Sequence, residues 1–254
     1  MDNTILHAFN IQKTFGGLVA ISNLDFTISK NQINAIIGPN GAGKTTVFNV
    51  ITGVLPLTGG EIQFQGTRIT GLKSHRISSM GISRTFQNIQ LFTNMSVLEN
   101  VMVGRHPRTS SGILSSILSL PQKRREERDT REKSIEYLDL VGLSDRINDS
   151  PENLPFGKQR LLEIARALAT EPKLLLLDEP ASGLNTRETR TLGKLITEVR
   201  GRGVTILLVE HDMELVMEMS DKIIVLNSGK KIAEGTPREI QENDEVIKAY
   251  LGED

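Results

Sequence analysis

The sequence predicts an α/β fold built around a parallel β-sheet. Three short apolar runs, at 33–37, 174–177 and 205–209, show no polar alternation, which is typical of strands buried on both faces. Helical stretches alternate with these runs, and each run ends in polar residues. This order predicts helices packed on a parallel sheet, with ligands bound beside the carboxyl ends of its strands.

The composition excludes several classes of protein. Of the 254 residues, 38% are hydrophobic, which is enough for a buried core and excludes a wholly disordered chain. Lys and Arg number 30 against 31 Asp and Glu, and the net charge of −1 argues against a general nucleic-acid binder. The sequence has no cysteine, which excludes disulfides and cysteine-ligated zinc. Without a signal-peptide pattern or a long apolar window, we expect a soluble, cytoplasmic protein.

The amino-terminal part predicts a second, antiparallel sheet. The stretches 5–11, 24–28 and 61–64 look like shorter strands, and they lie near glycine turns at 16–17 and 59–60. We therefore expect a small antiparallel subdomain beside the parallel sheet.

A helical subdomain is expected at about 88–160, because no buried-strand pattern occurs there. Ser96 and Glu99 have the spacing of a capping box, which opens a helix. Residues 109–119 place apolar side chains at helical spacing, and they indicate either a short helix on this subdomain or a contact with a partner or membrane. Residues 123–133 are strongly charged, with opposite charges at helical spacing in 127/131 and 128/132, and predict a solvated helix face.

The carboxyl-terminal part predicts a hairpin followed by a helix. Apolar stretches at 222–226 and 231–233 flank an Asn-Ser-Gly-Lys turn. Thr236 and Pro237 then have the residue types of a helix cap and a first helical turn.

A glycine-rich loop after the strand 33–37 predicts a phosphate-binding site. Glycines let backbone N–H groups wrap phosphates, and the following helix adds its positive dipole. Lys44 can reach the β- and γ-phosphates, and the Thr45 hydroxyl can bind Mg²⁺. The alternative is a glycine-rich turn with a surface lysine. The expected ATP-binding residues of this P-loop are Gly38, Pro39, Asn40, Gly41, Ala42, Gly43, Lys44, Thr45 and Thr46.

Two carboxylates follow the buried strand 174–177. Asp178 at this edge can hold Mg²⁺, usually through water, and Glu179 can polarise a water for attack on the γ-phosphorus. The alternative is that both merely end a strand as solvated turn residues. His211 follows another buried run, and as a lone histidine it favours a structural role.

The order of these motifs resembles that of the ATP-binding subunits of ABC transporters, over nearly the whole chain. The matching positions are 38–45, Gln87, 154–159 ahead of 166–168, 178–180 and His211. The resemblance implies a P-loop NTPase core with antiparallel and helical subdomains, in a single ABC ATPase domain over 1–254.

The same resemblance implies roles for three further side chains. Phe15 would stack on adenine, and His211 would contact the γ-phosphate as a catalytic residue. Gln87 would sense Mg²⁺ and the attacking water while touching the membrane partner. Without the resemblance, Phe15 is a core or turn aromatic and Gln87 is a surface amide.

The signature loop of the family departs from its usual form in this chain. That loop is usually Leu-Ser-Gly-Gly-Gln and caps the ATP of the second subunit, whereas residues 154–158 are Leu-Pro-Phe-Gly-Lys. Pro155 supplies neither a hydroxyl nor an N–H. The contact in trans would therefore rest on the Gly157 backbone, the helix N-terminus and Lys158. Asn185 also stands where many relatives carry Asp.

These departures resemble the branched-chain amino acid importer branch of the family. The residues that carry this resemblance are 84–88 with 91–92, the loop without serine, an insertion around 107–125 and the ending 246–252. It implies two ATPase subunits, alike or related, that sandwich two ATP and close with it. It also implies permease subunits that dock on 87–103, an extracytoplasmic solute-binding protein, and a peripheral location on the inner face of the membrane.

Two rival functions share the ATP-binding motifs. A lipopolysaccharide-export ATPase is similar in sequence, but its relatives keep the signature serine and lack the insertion. A soluble ABC ATPase of DNA repair or translation usually has paired cassettes or long coiled-coil insertions, neither of which occurs here. Within the transporter interpretation, Leu91, Phe92 and Met95 either line a groove for a short permease helix or fill the core of the helical subdomain.

Overall fold

The structure is a computed structural model that describes residues 3–105 and 121–251. In these ranges it has ten strands: β1 (Thr4–Phe15), β2 (Leu18–Ser29), β3 (Ile33–Ile37), β4 (Gly59–Phe64), β5 (Thr67–Arg68), β6 (Ile82–Arg84), β7 (Leu174–Asp178), β8 (Thr205–Val209), β9 (Lys222–Asn227) and β10 (Lys230–Gly235). Its nine α-helices are α1 (Lys44–Ile51), α2 (Ser74–Met80), α3 (Val97–Gly104), α4 (Pro121–Leu140), α5 (Phe156–Leu168), α6 (Thr186–Gly201), α7 (Met213–Met219), α8 (Pro237–Gln241) and α9 (Asp244–Leu251). Two short 3₁₀ helices span Ser144–Arg146 and Pro151–Asn153.

The predicted antiparallel sheet is present, with strand order β2-β1-β4-β5. The prediction of short strands was wrong for β1 and β2, which have 12 residues each. Their pairing continues through register shifts, and Asn10 and Asn23 adopt positive φ values of 43° and 48°. Asparagine tolerates this conformation, so the polar residues that looked like strand ends are irregularities within continuous strands.

The predicted parallel sheet is also present, with strand order β10-β9-β3-β8-β7-β6. Strands β9, β3, β8, β7 and β6 pair in parallel, and β10 returns antiparallel on β9. Every residue of β3, β7 and β8 is buried. Strand β6 was not predicted, because three residues are too few to show a pattern.

The core explains why the three central strands read as unbroken apolar runs. One apolar cluster packs on the sheet face that contacts α3, α5 and α6, and the other lies between the two sheets. Leu175 and Leu177 belong to the first cluster, whereas Leu174 and Leu176 belong to the second. Successive residues of a strand point to opposite faces, so a strand covered on both faces has an apolar residue at every position.

Between β6 and β7, the described residues form α3, α4, α5 and the two 3₁₀ helices. The predicted capping box opens α3: Glu99 N–H donates to Ser96 Oγ, and Ser96 N–H donates to Glu99 Oε2. The predicted helix at 109–119 lies outside the described residues. The charged stretch 123–133 lies in α4, where Thr130 is buried.

The predicted hairpin corresponds to β9 and β10. Thr236 caps α8 by accepting the N–H of Glu239, with Pro237 in the first turn. Within the described part of the chain, no helix combines the length and apolar character needed to cross a membrane.

Candidate functional site

The glycine-rich loop joins the end of β3 to the start of α1. Gly38 and Gly43 have φ values of 149° and 103°, which disfavour other residues. A Cβ on Gly38 would collide with the Leu226 carbonyl, and one on Gly43 would lie 2.7 Å from the Ala20 carbonyl oxygen. The loop therefore requires glycine at both positions. It leads into the N-terminus of α1, whose first amides have no partner within the helix and favour an anion.

Lys44 lies in the first turn of α1 and folds back over the loop. Its ammonium group donates to the carbonyls of Gly38 at 2.7 Å and Pro39 at 3.0 Å. Burial lowers the pKa of Lys44, and the charges of Glu179 and Asp178 oppose this shift. A cation is thus held over the loop, facing two carboxylates at the carboxyl end of β7, which is separated from β3 by β8.

One open cavity brings together most of the residues that the sequence predicted. Phe15 forms its apolar end with an exposed ring, 43% accessible, and Lys13 Nζ lies 4.8 Å from the ring centroid. Gly38 and Pro39 lie at the base of the loop, next to Lys44. The predicted residues that line the cavity are Phe15, Asn40, Gly41, Ala42, Gly43, Lys44, Thr45, Thr46, Gln87, Glu179 and His211.

The three predicted catalytic side chains are joined by hydrogen bonds. One oxygen of Glu179 accepts the Gln87 amide at 2.9 Å, and the other lies 3.0 Å from His211 Nε2. Glu179 has a positive φ of 47°, and its N–H donates to Val209 O at 2.8 Å. This unusual backbone conformation directs the carboxylate into the cavity beside β8. The arrangement suits a general base that is held from two sides.

Asp178 ends β7 behind the cavity and is 1% exposed. Its Oδ2 accepts Arg84 Nη2 at 2.7 Å, whereas its Oδ1 is buried with no hydrogen-bond partner among the described residues. Arg84 also donates to Asn49 at 2.7 Å, and its guanidinium lies over the ring of Phe86. One carboxylate oxygen thus remains available for a water or cation. The sequence resemblance included Arg84, but its pairing with Asp178 was not anticipated.

A second buried arginine holds the backbone beside Gln87. Arg160, on α5, donates to the carbonyls of Phe86 and Gln87, both at 2.8 Å. It also pairs with Glu163 at 2.9 Å, and Glu163 accepts the Phe86 N–H at 3.2 Å. Burial raises the pKa of Glu163, and the Phe86 amide and Arg160 oppose the shift. The sequence resemblance included both residues but gave them no role, since a charged pair on a helix normally indicates a solvated face.

The signature-like loop, residues 154–158, lies apart from the cavity that contains Lys44 and Glu179. The described lining of the cavity contains none of residues 154–158. Helix α5 begins at Phe156 after Pro155, and the Phe156 ring lies over Gly183, where a Cβ would be 2.8 Å from its Cε1. A Cβ on Gly157 would lie 2.5 Å from Glu188 Oε1, so a larger residue there would displace the Glu188 side chain.

Asn185 has a clear local role. Its side-chain oxygen accepts the N–H groups of Arg187 and Glu188. The Glu188 carboxylate in turn accepts the Asn185 N–H, which completes a capping box for α6. An amide oxygen serves this purpose as well as a carboxylate does.

The glycine-rich loop joins the buried strand β3 to helix α1 and lies opposite two carboxylates at the carboxyl end of β7. This arrangement defines a P-loop nucleotide-binding ATPase. The ABC transporter family matches residues 21–182, and the branched-chain amino acid ATP-binding cassette transporter family matches residues 230–254. The chain belongs to the ABC transporter family and is an ATPase of that family.

Two relatives align over the whole length of this chain and over their own whole length. The BraF branched-chain amino acid transport ATP-binding protein of Pseudomonas aeruginosa is 46% identical, and LivG of Escherichia coli K12 is 44% identical. The lipopolysaccharide export ATP-binding protein LptB of Haemophilus influenzae is 33% identical over 98% of both chains.

Solved structures agree with this family and fold. A nucleotide-free ATP-binding cassette from an ABC transporter matches 98% of this chain and 100% of its own, with a TM-score of 0.86 and 32% identity. A dimeric bacterial ABC transporter cassette matches 92% of this chain and 99% of its own, with a TM-score of 0.79 and 25% identity.

Proposed function

We propose that this chain is the ATP-hydrolysing subunit of a membrane importer for branched-chain amino acids. The observation on which the proposal chiefly rests is the bonded group of Gln87, Glu179 and His211 in one cavity with Lys44. The substrate class rests on the full-length similarity to BraF and LivG and on the family match at 230–254. The lower identity to LptB disfavours lipopolysaccharide export.

ATP and Mg²⁺ are the expected cofactors. The exposed Phe15 ring offers a stacking face for adenine, and residues 40–46 offer amides and an ammonium group for the phosphates. The unpartnered Oδ1 of Asp178 and the exposed Thr45 hydroxyl fit Mg²⁺, with Asp178 acting through water and Gln87 nearby. When bound, Mg²⁺ neutralises negative charge on the β- and γ-phosphate oxygens.

In the proposed hydrolysis, Glu179 is the general base. It accepts a proton from water as the water oxygen bonds to the γ-phosphorus and the bond to the bridging oxygen of ADP breaks. Gln87 and His211 hold the Glu179 carboxylate from its two oxygens. His211 is half-exposed in the cavity, so its ring is also available to the γ-phosphate.

Two subunits, alike or related, are proposed to enclose the nucleotides. Each site would combine the P-loop and Glu179 of one subunit with the Gly157 backbone and the α5 N-terminus of the other. Two observations support this: the separation of residues 154–158 from the cavity of their own chain, and the similarity to a dimeric cassette. Binding of ATP would favour the closed dimer, and hydrolysis would release it.

The permease is proposed to dock on the region 87–103, within a helical subdomain of about 88–160. A groove there is lined by Phe86, Leu91, Phe92 and Val103, with Arg166 at 5.4 Å from the Phe92 ring. Phe92 is 43% exposed, which supports docking, whereas Leu91 is partly buried on the core and Met95 does not line the groove. Through this contact the subunit would lie at the inner face of the membrane and act indirectly on a solute-binding protein.

Replacing Glu179 by Gln tests the proposed base. We expect ATP binding to persist and hydrolysis to slow by roughly 10² to 10⁴, because the amide keeps the shape but not the basicity. ATP should then hold the variant as a dimer in size-exclusion chromatography. The exposed Glu198→Gln should hydrolyse ATP normally. A variant that remains monomeric at saturating ATP, with and without Mg²⁺, would contradict the sandwich arrangement.

Replacing Phe92 by Asp tests the docking groove. We expect folding and the basal ATPase activity of the isolated subunit to survive, while assembly with permease subunits and solute uptake fail. Val54→Asp, at another exposed apolar side chain, is the matched control and should assemble normally. Loss of folding in Phe92→Asp would favour the core interpretation, and normal assembly and uptake would exclude Phe92 from docking.

A further inference from the structure

Glu210 is a buried carboxylate that none of the motifs explains. It directly follows β8, and its accessible fraction is 3%. The hydrogen bonds of this side chain within the described residues come from three backbone amides: Ala181 N–H at 2.6 Å to Oε1, and His211 N–H at 2.9 Å and Asp212 N–H at 3.4 Å to Oε2. Burial raises the pKa of Glu210, and these amides oppose that shift.

The two oxygens of this carboxylate accept N–H groups from two different loops. Ala181 lies two residues after Glu179, in the loop that follows β7, and His211 lies next to Glu210 in the loop that follows β8. The contact between Glu179 and His211, at 3.0 Å, crosses between the same two loops. Glu210 therefore bridges the backbone on either side of the pair that the proposed hydrolysis requires.

The sheet itself does not depend on this bridge. Strands β7 and β8 are already paired from Leu174 opposite Thr205 to Asp178 opposite Val209. The bridge lies beyond the last of these pairs. In the described structure, a backbone–backbone hydrogen bond near it runs from Glu179 N–H to the carbonyl of Val209, the last residue of β8. The effect of the bridge is thus expected at the loops and not in the strands.

We propose that Glu210 is a positioning residue for ATP hydrolysis that fixes the distance between Glu179 and His211. This proposal rests on the proposed function of those two side chains. An ionised carboxylate has two acceptor oxygens, so it can serve both loops at once. A glutamine has one acceptor oxygen, and its NH₂ group would face an N–H donor on one side. The residue type, and not only its volume, is therefore required.

The first test compares Glu210→Gln with Asp221→Asn. Asp221 is the control, because its Oδ2 also accepts a backbone amide, the Ile33 N–H at 2.8 Å, but at the amino ends of β3 and β9, away from the cavity. We expect Glu210→Gln to lower kcat by roughly 10- to 100-fold, as for a reacting group displaced by about 1 Å, with KM for ATP within about twofold. Asp221→Asn should change neither constant. If Glu210→Gln does not fold, Glu210→Asp replaces it, with a smaller loss of kcat expected.

The second test observes His211 directly. The chain has four histidines, and His211→Ala assigns the His211 signal in a ¹H–¹³C spectrum of the imidazole rings. We expect the Glu210 variant to shift that signal and leave the other three in place. An unchanged kcat or an unchanged His211 signal would overturn the proposal. If Glu179→Gln hydrolyses ATP at the normal rate, the proposed function fails instead, so the two failures are distinguishable.

Discussion

The nucleotide cavity and the buried network behind it are built in opposite ways. We define the buried network as Arg84, Arg160 and Glu163 with the groups that they hold. The polar side of the cavity consists of the loops that follow β3, β6, β7 and β8, and Phe15 at the end of β1 forms its apolar end. The network joins residues far apart in sequence: Arg84 and Asp178 are separated by 94 positions, and Arg160 and Phe86 by 74.

This difference shows that the reactive groups and the residues that orient them come from different parts of the sequence. Reactive groups follow strands, because the carboxyl ends of parallel strands meet at one edge of a sheet. The orientation of those groups depends on α5 and β6, which contribute charged side chains from elsewhere in the chain. The helix that follows the signature-like loop thus also holds the backbone of Gln87.

Replacing Arg160 by Met should have a larger effect than replacing Lys44 or Ser96 by Ala. The side chain is 1% exposed, and its removal leaves Glu163 as an uncompensated buried charge. We expect a loss of about 3–5 kcal/mol in the free energy of unfolding, measured by urea denaturation. Arg202→Met, which breaks an exposed pair with Glu198, should cost at most about 1 kcal/mol.

A double variant sharpens the same comparison. Arg160→Met with Glu163→Met removes both charges and should recover part of the lost stability, because the desolvation cost disappears with the pair. Equal stability of the Arg160 single variant and the parent protein would show that the buried network does not support the fold.

Replacing Lys44 by Ala should have an intermediate effect, confined to the cavity. The loss of a charge-assisted contact to the phosphates should weaken ATP binding by roughly 10- to 100-fold, measured by titration with nucleotide. Folding stability should change little, because burial lowers the pKa of Lys44 and so opposes its charged form. The exposed Lys194→Ala is the control. Unchanged affinity in Lys44→Ala would remove this residue from the site.

The sequence predicted local features of the fold better than contacts between distant residues. Strands β3, β7 and β8 and the P-loop were predicted because each is a local pattern: five buried residues in a row, or glycines at fixed spacing. The full length of β1 was not, because Asn10 interrupts the pattern without ending the strand.

Side-chain partners were much less predictable than the motifs. The resemblance implied that Gln87 and His211 belong to one site, but not that each bonds one oxygen of Glu179. The pairing of Arg84 with Asp178 depends on the parallel register of β6 and β7, which sequence does not reveal.

Replacing Ser96 by Ala should have the smallest effect, although the sequence predicted this feature directly. Ser96 caps α3, the helix that contributes Val103 to the docking groove. Loss of the cap should cost about 1 kcal/mol in unfolding free energy, because one orphan amide of the helix loses its acceptor. KM for ATP and kcat should be unchanged, since the cap is not bonded to Gln87 or Glu179 in the described structure.

The capping box of α8 provides the control for this change. Thr236→Ala removes the same type of bond to Glu239 and should cost a similar amount. If Ser96→Ala instead lost as much stability as Arg160→Met, a local cap would equal a buried ion pair in importance, and the division between local motif and long-range network would not hold. A changed kcat with normal stability would connect α3 to the cavity, because α3 packs against α5, and Arg160 of α5 holds the backbone of Gln87.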